Sequence, residues 1–136
     1  MHELTLTIGW VALGSACGGM TRFFVSGWVA RRVGETFPWG TMVVNVSGAC
    51  VLGALAAWAP RELPADWTPV WSLLAVGFLG SYTTVSSFSI QTLALLHDGE
   101  MARAWSNVLL TLLLCLAGVS AGLLLAGALL NGAAGR

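Results

Sequence analysis

The sequence predicts an all-α membrane protein with four transmembrane helices, and both its composition and the placement of its charges lead to this prediction. Of its 136 residues, 57% are hydrophobic and 9% are charged, whereas soluble domains carry about 25% charged residues. A chain with so few charges cannot cover its own surface in water, so a lipid bilayer must be the solvent for most of it. We therefore expect a single multi-pass transmembrane domain over residues 1–136, located in the cell inner membrane.

The charged residues define the spans. Except for Arg22, they lie at the chain ends or in three short clusters. The apolar stretches between the clusters each provide the ~20 residues that a helix needs to cross a bilayer. Tryptophans near most of the span ends support these limits, because the amphipathic indole ring prefers the headgroup level. The predicted spans are approximately residues 4–30, 39–58, 69–96 and 102–130.

Basic residues are shared almost equally between the two sides of this domain. With four spans, two arginines lie on one side and three on the other. Arginine bias normally sets orientation, so this chain could insert both ways, and opposite copies could pair as an antiparallel dual-topology homodimer; a monomeric bundle is the alternative. The first side has Arg61 and Arg136, and the second has Arg31, Arg32 and Arg103.

Small residues spaced four apart occur in three of the predicted spans. Such pairs let membrane helices approach closely. The spacing favours tight packing but does not distinguish packing within one chain from packing between two. The pairs are Gly14 and Gly18, Ala49 and Gly53, and Gly118 and Gly122.

Polar residues at membrane depth are the candidate functional residues, because an unsatisfied polar group is costly in hydrocarbon. Asn45 lies in the second span, where its amide could bind a ligand or hold two helices together. In the third span, residues 80–84 (GSYTT) predict a local helix break near the middle of an apolar run. Such a break would free carbonyl oxygens for a hard cation between two antiparallel copies; a plain kink is the alternative.

The fourth span carries a polar stripe. Asn107, Thr111 and Cys115 are spaced four apart and so share one helix face. No Asp or Glu lies deep in any span, although a proton-coupled antiporter normally needs such a carboxylate. Hydrogen-bond donors without a deep acid favour an anion over a cation, and passive flow over proton-coupled transport.

Three motifs then resemble the Fluc (CrcB) fluoride channel family, and the likeness covers almost the whole chain. They are residues 18–22 (GGMTR), residues 38–45 (PWGTMVVN) and residues 77–88 (GFLGSYTTVSSF), in the family's order. The resemblance implies an antiparallel homodimer with two pores that export fluoride passively from the cytoplasm and lower its toxicity. It also implies a structural sodium ion at the dimer interface, held by the backbone carbonyls of Gly80 and Thr83.

The resemblance further implies which side chains meet the ion. Asn45 and Phe88 would line the fluoride path, and Arg22 would supply a positive vestibule. Fluoride is small and tightly hydrated, so amide and hydroxyl donors must replace its water, and the positive edge of an aromatic ring can also contact it. The other expected polar contacts are Thr41, Ser87, Asn107 and Thr111.

This chain also departs from the family pattern. Val85 stands where the family usually has a phenylalanine, Gln91 where it often has a glutamate, and Cys115 where a hydroxyl is expected. Valine has no positive ring edge, so one of two aromatic contacts is missing. We expect fluoride conduction to persist at an altered rate.

Other classes fit the sequence less well. A small multidrug-type dual-topology exporter would need a carboxylate within its first span, and Glu3 lies too close to the terminus. A non-transporting membrane scaffold subunit would leave Asn45 and the predicted break unexplained. An enzyme is not expected, because the chain has neither a nucleophile–base pair nor a metal-ligand cluster. The expected partners are a second copy, fluoride and the bilayer, with no nucleic acid.

Overall fold

The computed structural model describes residues 2–34, 36–59 and 67–134, and all the regular structure in these residues is helical. Seven segments follow one another along the chain. They are α1 (His2–Val33), α2 (Trp39–Trp58), α3 (Thr68–Trp71), a π-helical segment (Ser72–Leu79), α4 (Gly80–Tyr82), α5 (Val85–His97) and α6 (Met101–Ala134). Arg61, between the second and third predicted spans, and Arg136 lie outside the described residues.

Four stretches are long and apolar enough to cross a membrane: His2–Val33, Trp39–Trp58, Thr68–His97 and Met101–Gly132. The third combines α3, the π-helical segment, α4 and α5. Its predicted interruption is present, and the all-α fold with four spans is confirmed. Large apolar side chains on α6 face outward, among them Leu113 and Leu124, as expected where lipid is the solvent. The chain is a multi-pass membrane protein.

The two described connections end a helix with glycine. Gly34 (φ 96°) follows α1 and Gly99 (φ 78°) follows α5, and this left-handed conformation favours glycine. The Gly34 N–H bonds the Ala30 carbonyl at 2.9 Å, and the Glu100 N–H bonds the Leu95 carbonyl at 2.8 Å. These bonds satisfy carbonyls that the helix ends would otherwise leave unpaired.

The small residues bring helices together within one chain. A Cβ atom added at Gly122 of α6 would overlap the Cys50 carbonyl oxygen of α2, and one at Gly53 would overlap the Val119 carbonyl oxygen. Gly14 of α1 likewise faces the backbone of the π-helical segment. The two backbones can approach this closely only where glycine has no side chain between them. The glycines of the small-residue pairs therefore build the monomer.

A small core lies where α2 meets the third span. Val44, Leu79 and Tyr82 are buried together, and the Tyr82 hydroxyl is 2.9 Å from the Ser47 Oγ atom. A Cβ at Gly48 would be 3.2 Å from the Tyr82 ring, so the third span lies close against α2 at this point. This core holds the end of α4 beside Asn45.

The close contact between α2 and α6 predicts the effect of a small substitution. Gly122→Ala should destabilise the protein by about 1–3 kcal/mol, because the added methyl group forces the two backbones apart. Thermal unfolding in detergent, followed by tryptophan fluorescence, measures this. Gly127→Ala in the same helix is the control, since nothing lies within 4 Å of its Cβ position. Equal melting temperatures for both variants would contradict the assigned contact.

Candidate functional site

The third span is broken at Thr83 and Thr84. Both residues are extended, with φ and ψ of −79° and 159° at Thr83 and −153° and 123° at Thr84. The Thr83 N–H and hydroxyl both donate to the Leu79 carbonyl, at 3.0 and 2.9 Å. The Thr84 hydroxyl accepts the Ser87 N–H at 3.2 Å and so caps α5. Threonine therefore ends one helix and begins the next.

Asn45 of α2 pairs with the backbone at this break. Its Nδ2 donates to the Thr84 carbonyl at 3.0 Å, and its Oδ1 accepts the Thr84 N–H at 2.7 Å. The amide thus satisfies both backbone groups of Thr84. An amide nitrogen carries two N–H groups, and the described residues offer no acceptor for the second. Asn45 therefore joins two spans and still has one donor available.

The break also diverts two backbone donors from their helical partners. In a continuous helix the Thr84 N–H would bond the Gly80 carbonyl, and the Ser87 N–H would bond the Thr83 carbonyl. Here the first donates to Asn45 and the second to the Thr84 hydroxyl. The Gly80 and Thr83 carbonyls therefore lose these helical partners, and they are the two that the sequence predicts as sodium ligands.

A cavity of about 580 Å³ opens beside the break, between α2, the third span and α6. Six of the predicted site residues line it, together with Cys115, the end of the predicted polar stripe. Much of the remaining wall is apolar, with Leu52, Leu79 and Leu112. The six are Asn45, Gly80, Thr83, Val85, Phe88 and Thr111.

A second cavity, of about 220 Å³, lies beside the break and is lined in part by α1. Arg22, Thr41 and Ser87 line it, and Thr84 lines both cavities. Arg22 makes no ion pair with the acids among residues 2–34, 36–59 and 67–134. Apart from Asn107, the predicted site residues therefore form two groups that meet at the broken backbone.

Asn107 lines neither cavity. Its side chain is 1% exposed, and its Nδ2 donates to the Thr92 hydroxyl at 2.8 Å. The Thr92 hydroxyl in turn donates to the Phe88 carbonyl at 2.7 Å, and Thr111 donates to Asn107 Oδ1 at 3.4 Å. This chain of bonds links α6 to the backbone of Phe88.

Thr92 and Gln91 extend the site beyond the predicted residues. Thr92 is absent from the predicted site residues, although its position four residues after Phe88 places its hydroxyl over that carbonyl. Gln91, which departs from the family pattern, is not among the predicted site residues. Its Oε1 atom is buried and has no hydrogen-bond partner in the described part of the chain. It lines a cavity of about 410 Å³ with Thr41 and Ser87.

Fold and site together define a small polytopic membrane protein with hydrogen-bond donors gathered around a broken span. The family described as "CrcB-like protein, Camphor Resistance (CrcB)" matches residues 9–123. The chain therefore belongs to the CrcB family, as its three motifs predicted.

Curated relatives agree with this assignment. "Fluoride-specific ion channel FluC 2" of Rhodopseudomonas palustris (strain BisB18) is 53% identical over 123 residues, which cover 90% of this chain and 94% of the relative. The protein of the same name from Bradyrhizobium diazoefficiens is 53% identical over 121 residues, covering 88% of each chain. "Fluoride-specific ion channel FluC 3" of Brucella suis is 50% identical over 113 residues, covering 82% of this chain and 85% of the relative.

The hydrogen bonds around Asn107 predict a measurable coupling. Thr92→Val replaces the hydroxyl with a methyl group of similar volume and leaves the buried Asn107 amide without its acceptor. The free energy of unfolding should fall by about 1–3 kcal/mol. A double-mutant cycle with Asn107→Leu should give a coupling energy of about 0.5–3 kcal/mol in unfolding experiments. Thr7→Val is the control, because its exposed hydroxyl bonds only the Glu3 carbonyl. Additive effects of the two substitutions would show that the bond contributes nothing.

Proposed function

We propose that this chain forms a fluoride-selective channel that exports fluoride passively from the cytoplasm. One observation carries the proposal. Asn45 lines the larger cavity at the broken span, and one of its two amide N–H groups remains available to bind an ion there. Relatives that are 50–53% identical over most of their length are named fluoride-specific ion channels. Such names favour a channel over an enzyme, an exporter or a scaffold.

The chemistry of the ion supports the proposed route. Fluoride holds its water tightly, so a pore must offer donors strong enough to replace it. The route we propose runs from the cavity at Arg22, Thr41 and Ser87, past Thr84, to the cavity at Asn45. Each cavity presents donors, and Thr84 lines both. No carboxylate lies deep in the spans to repel the anion or carry a proton.

Phe88 would contribute the positive edge of its ring to the larger cavity. Its backbone carbonyl accepts the Thr92 hydroxyl, which in turn accepts a bond from Asn107. We therefore propose that Asn107 and Thr92 act on conduction by holding Phe88 in place. Val85 is 77% exposed and lines the same cavity, so a second aromatic ring at its position would face the same space.

We further propose that two copies pair as an antiparallel dual-topology dimer across the larger cavity. Gly80 is exposed at this cavity and Thr83 also lines it, so the site lies open on the single chain. Two copies meeting there would bring four carbonyls together, two from each chain. Carbonyl oxygens suit a hard cation, and these four have lost their helical donors. The residues present therefore fit a structural sodium ion, which would stabilise the crossing of the two broken spans.

Fluoride release from liposomes tests the main proposal. Purified protein should release fluoride down its gradient and retain chloride. Asn45→Asp cannot donate to the ion or to the Thr84 carbonyl and places a negative charge in the path. It should slow release at least about fivefold, because a lost donor costs about 1–3 kcal/mol.

Asn131→Asp supplies the matched control for this experiment. Asn131 is exposed near the end of α6 and lines none of the cavities described above. The same change of charge there should leave release unchanged. Equal chloride and fluoride fluxes in the unsubstituted protein would overturn the proposed selectivity, and undiminished flux in Asn45→Asp would remove Asn45 from the path.

The dimer has a separate test. In a variant without Cys17, Cys50 and Cys115, Gly80→Cys should form an intermolecular disulfide, because the two Gly80 positions would meet at the dimer axis. A Cβ at Gly80 has only the Ala75 carbonyl oxygen nearby, at 3.9 Å, so the substitution fits. Gly9→Cys is the exposed control in α1. Absence of the Gly80 disulfide, or C-terminal reporters found on one side alone, would contradict the antiparallel dimer.

A further inference from the structure

A basic and aromatic groove lies near the carboxyl-terminal end of α1, apart from the cavities of the proposed pore. It has a volume of about 310 Å³ and is lined by Phe24, Val25, Trp28 and Arg31. The guanidinium of Arg32 lies 5.2 Å from the centre of the Trp28 ring. One end of the groove is therefore apolar and the other carries positive charge.

The positive charge at this end is not neutralised by the described part of the chain. Arg31 and Arg32 are both exposed, and neither pairs with an acid among the described residues. Arg103 lies in the first turn of α6, on the same side of the membrane, and it instead contacts Glu100 at 3.3 Å. The helix dipole at the end of α1 contributes only about half a negative charge, against the two full positive charges of Arg31 and Arg32. Glu35, the nearest acid in the sequence, lies outside the described residues.

The apolar part of the groove is also open. Phe24 is 67% exposed and Trp28 is 54% exposed. From Phe24 to Arg31 the helix rises by about 10 Å, at ~1.5 Å per residue. That distance separates a lipid headgroup from the upper part of its acyl chain. Tryptophan prefers the boundary between these two regions.

We propose that this groove binds an anionic phospholipid. The guanidinium groups of Arg31 and Arg32 would bind the phosphate, which arginine recognises through paired N–H donors. An acyl chain would lie along Phe24 and Val25. A free phosphate would use only the arginines, so the apolar half of the groove favours a lipid. Basic residues at the end of a span are a recognised basis for selecting anionic headgroups.

Quenching of tryptophan by brominated lipids tests this proposal. The protein is placed in phosphatidylcholine vesicles that contain either brominated phosphatidylglycerol or brominated phosphatidylcholine in both leaflets, so its orientation does not matter. The signal of Trp28 is the difference between the unsubstituted protein and Trp28→Phe. Brominated phosphatidylglycerol should quench this signal with a preference of about fivefold for each basic side chain involved.

Variants that each remove one positive charge distinguish a specific lipid site from a general attraction of anionic lipid to a basic protein. Arg31→Gln and Arg32→Gln should each reduce the preference about fivefold, whereas Arg103→Gln should retain it. Circular dichroism and gel filtration establish that each variant is folded. Equal quenching by the two lipids, or an equal loss in Arg103→Gln, would overturn the proposal. Absence of quenching by either lipid would show that protein, such as a second copy, covers the groove, and would overturn it as well.

Discussion

The pairing of Asn45 with Thr84 is the interaction on which the site depends. In the bilayer core, water is not available to bond a backbone N–H or carbonyl, so a break in a membrane helix must be satisfied by the protein itself. The Asn45 side chain amide accepts the Thr84 N–H at 2.7 Å and donates to the Thr84 carbonyl at 3.0 Å. Because the Thr84 N–H bonds Asn45 instead of the Gly80 carbonyl, that carbonyl loses its helical partner. The structure that holds the break together thus also prepares the proposed cation site.

Close backbone contacts between helices position Asn45 for this pairing. Gly122 and Gly53 let α2 and α6 approach until backbone touches backbone, and Gly14 does the same for α1 and the π-helical segment. The glycines of α2 and α6 fix α2 beside the fourth span. Gly48, whose added Cβ would lie 3.2 Å from the Tyr82 ring, lets α2 lie against the third span, so that Asn45 reaches Thr84. In a membrane, close packing of this kind replaces the hydrophobic effect as the source of helix association.

The sequence was most informative about properties that depend on the solvent and on local chemistry. Four spans follow from the position of the charges, and the structure has helices at each of them. The break was predicted within residues 80–84 because glycine and hydroxyl side chains interrupt an apolar run. Three motifs in the family's order, at residues 18–22, 38–45 and 77–88, predicted the family. Thr92 was missed, because a threonine that bonds the preceding turn is common in membrane helices and carries no distinct pattern.

By itself, the sequence determined that this chain resides in a membrane, crosses it four times and belongs to the CrcB family, because hydrophobicity and short motifs are local properties. Only the tertiary structure decided which residues meet. It divided most of the predicted site between two cavities that share Thr84, and it buried Asn107 in bonds to Thr92 and Thr111. It also assigned the glycines of the small-residue pairs to contacts within one chain. These outcomes depend on the relative rotation and approach of helices distant in sequence, which helical periodicity alone does not specify.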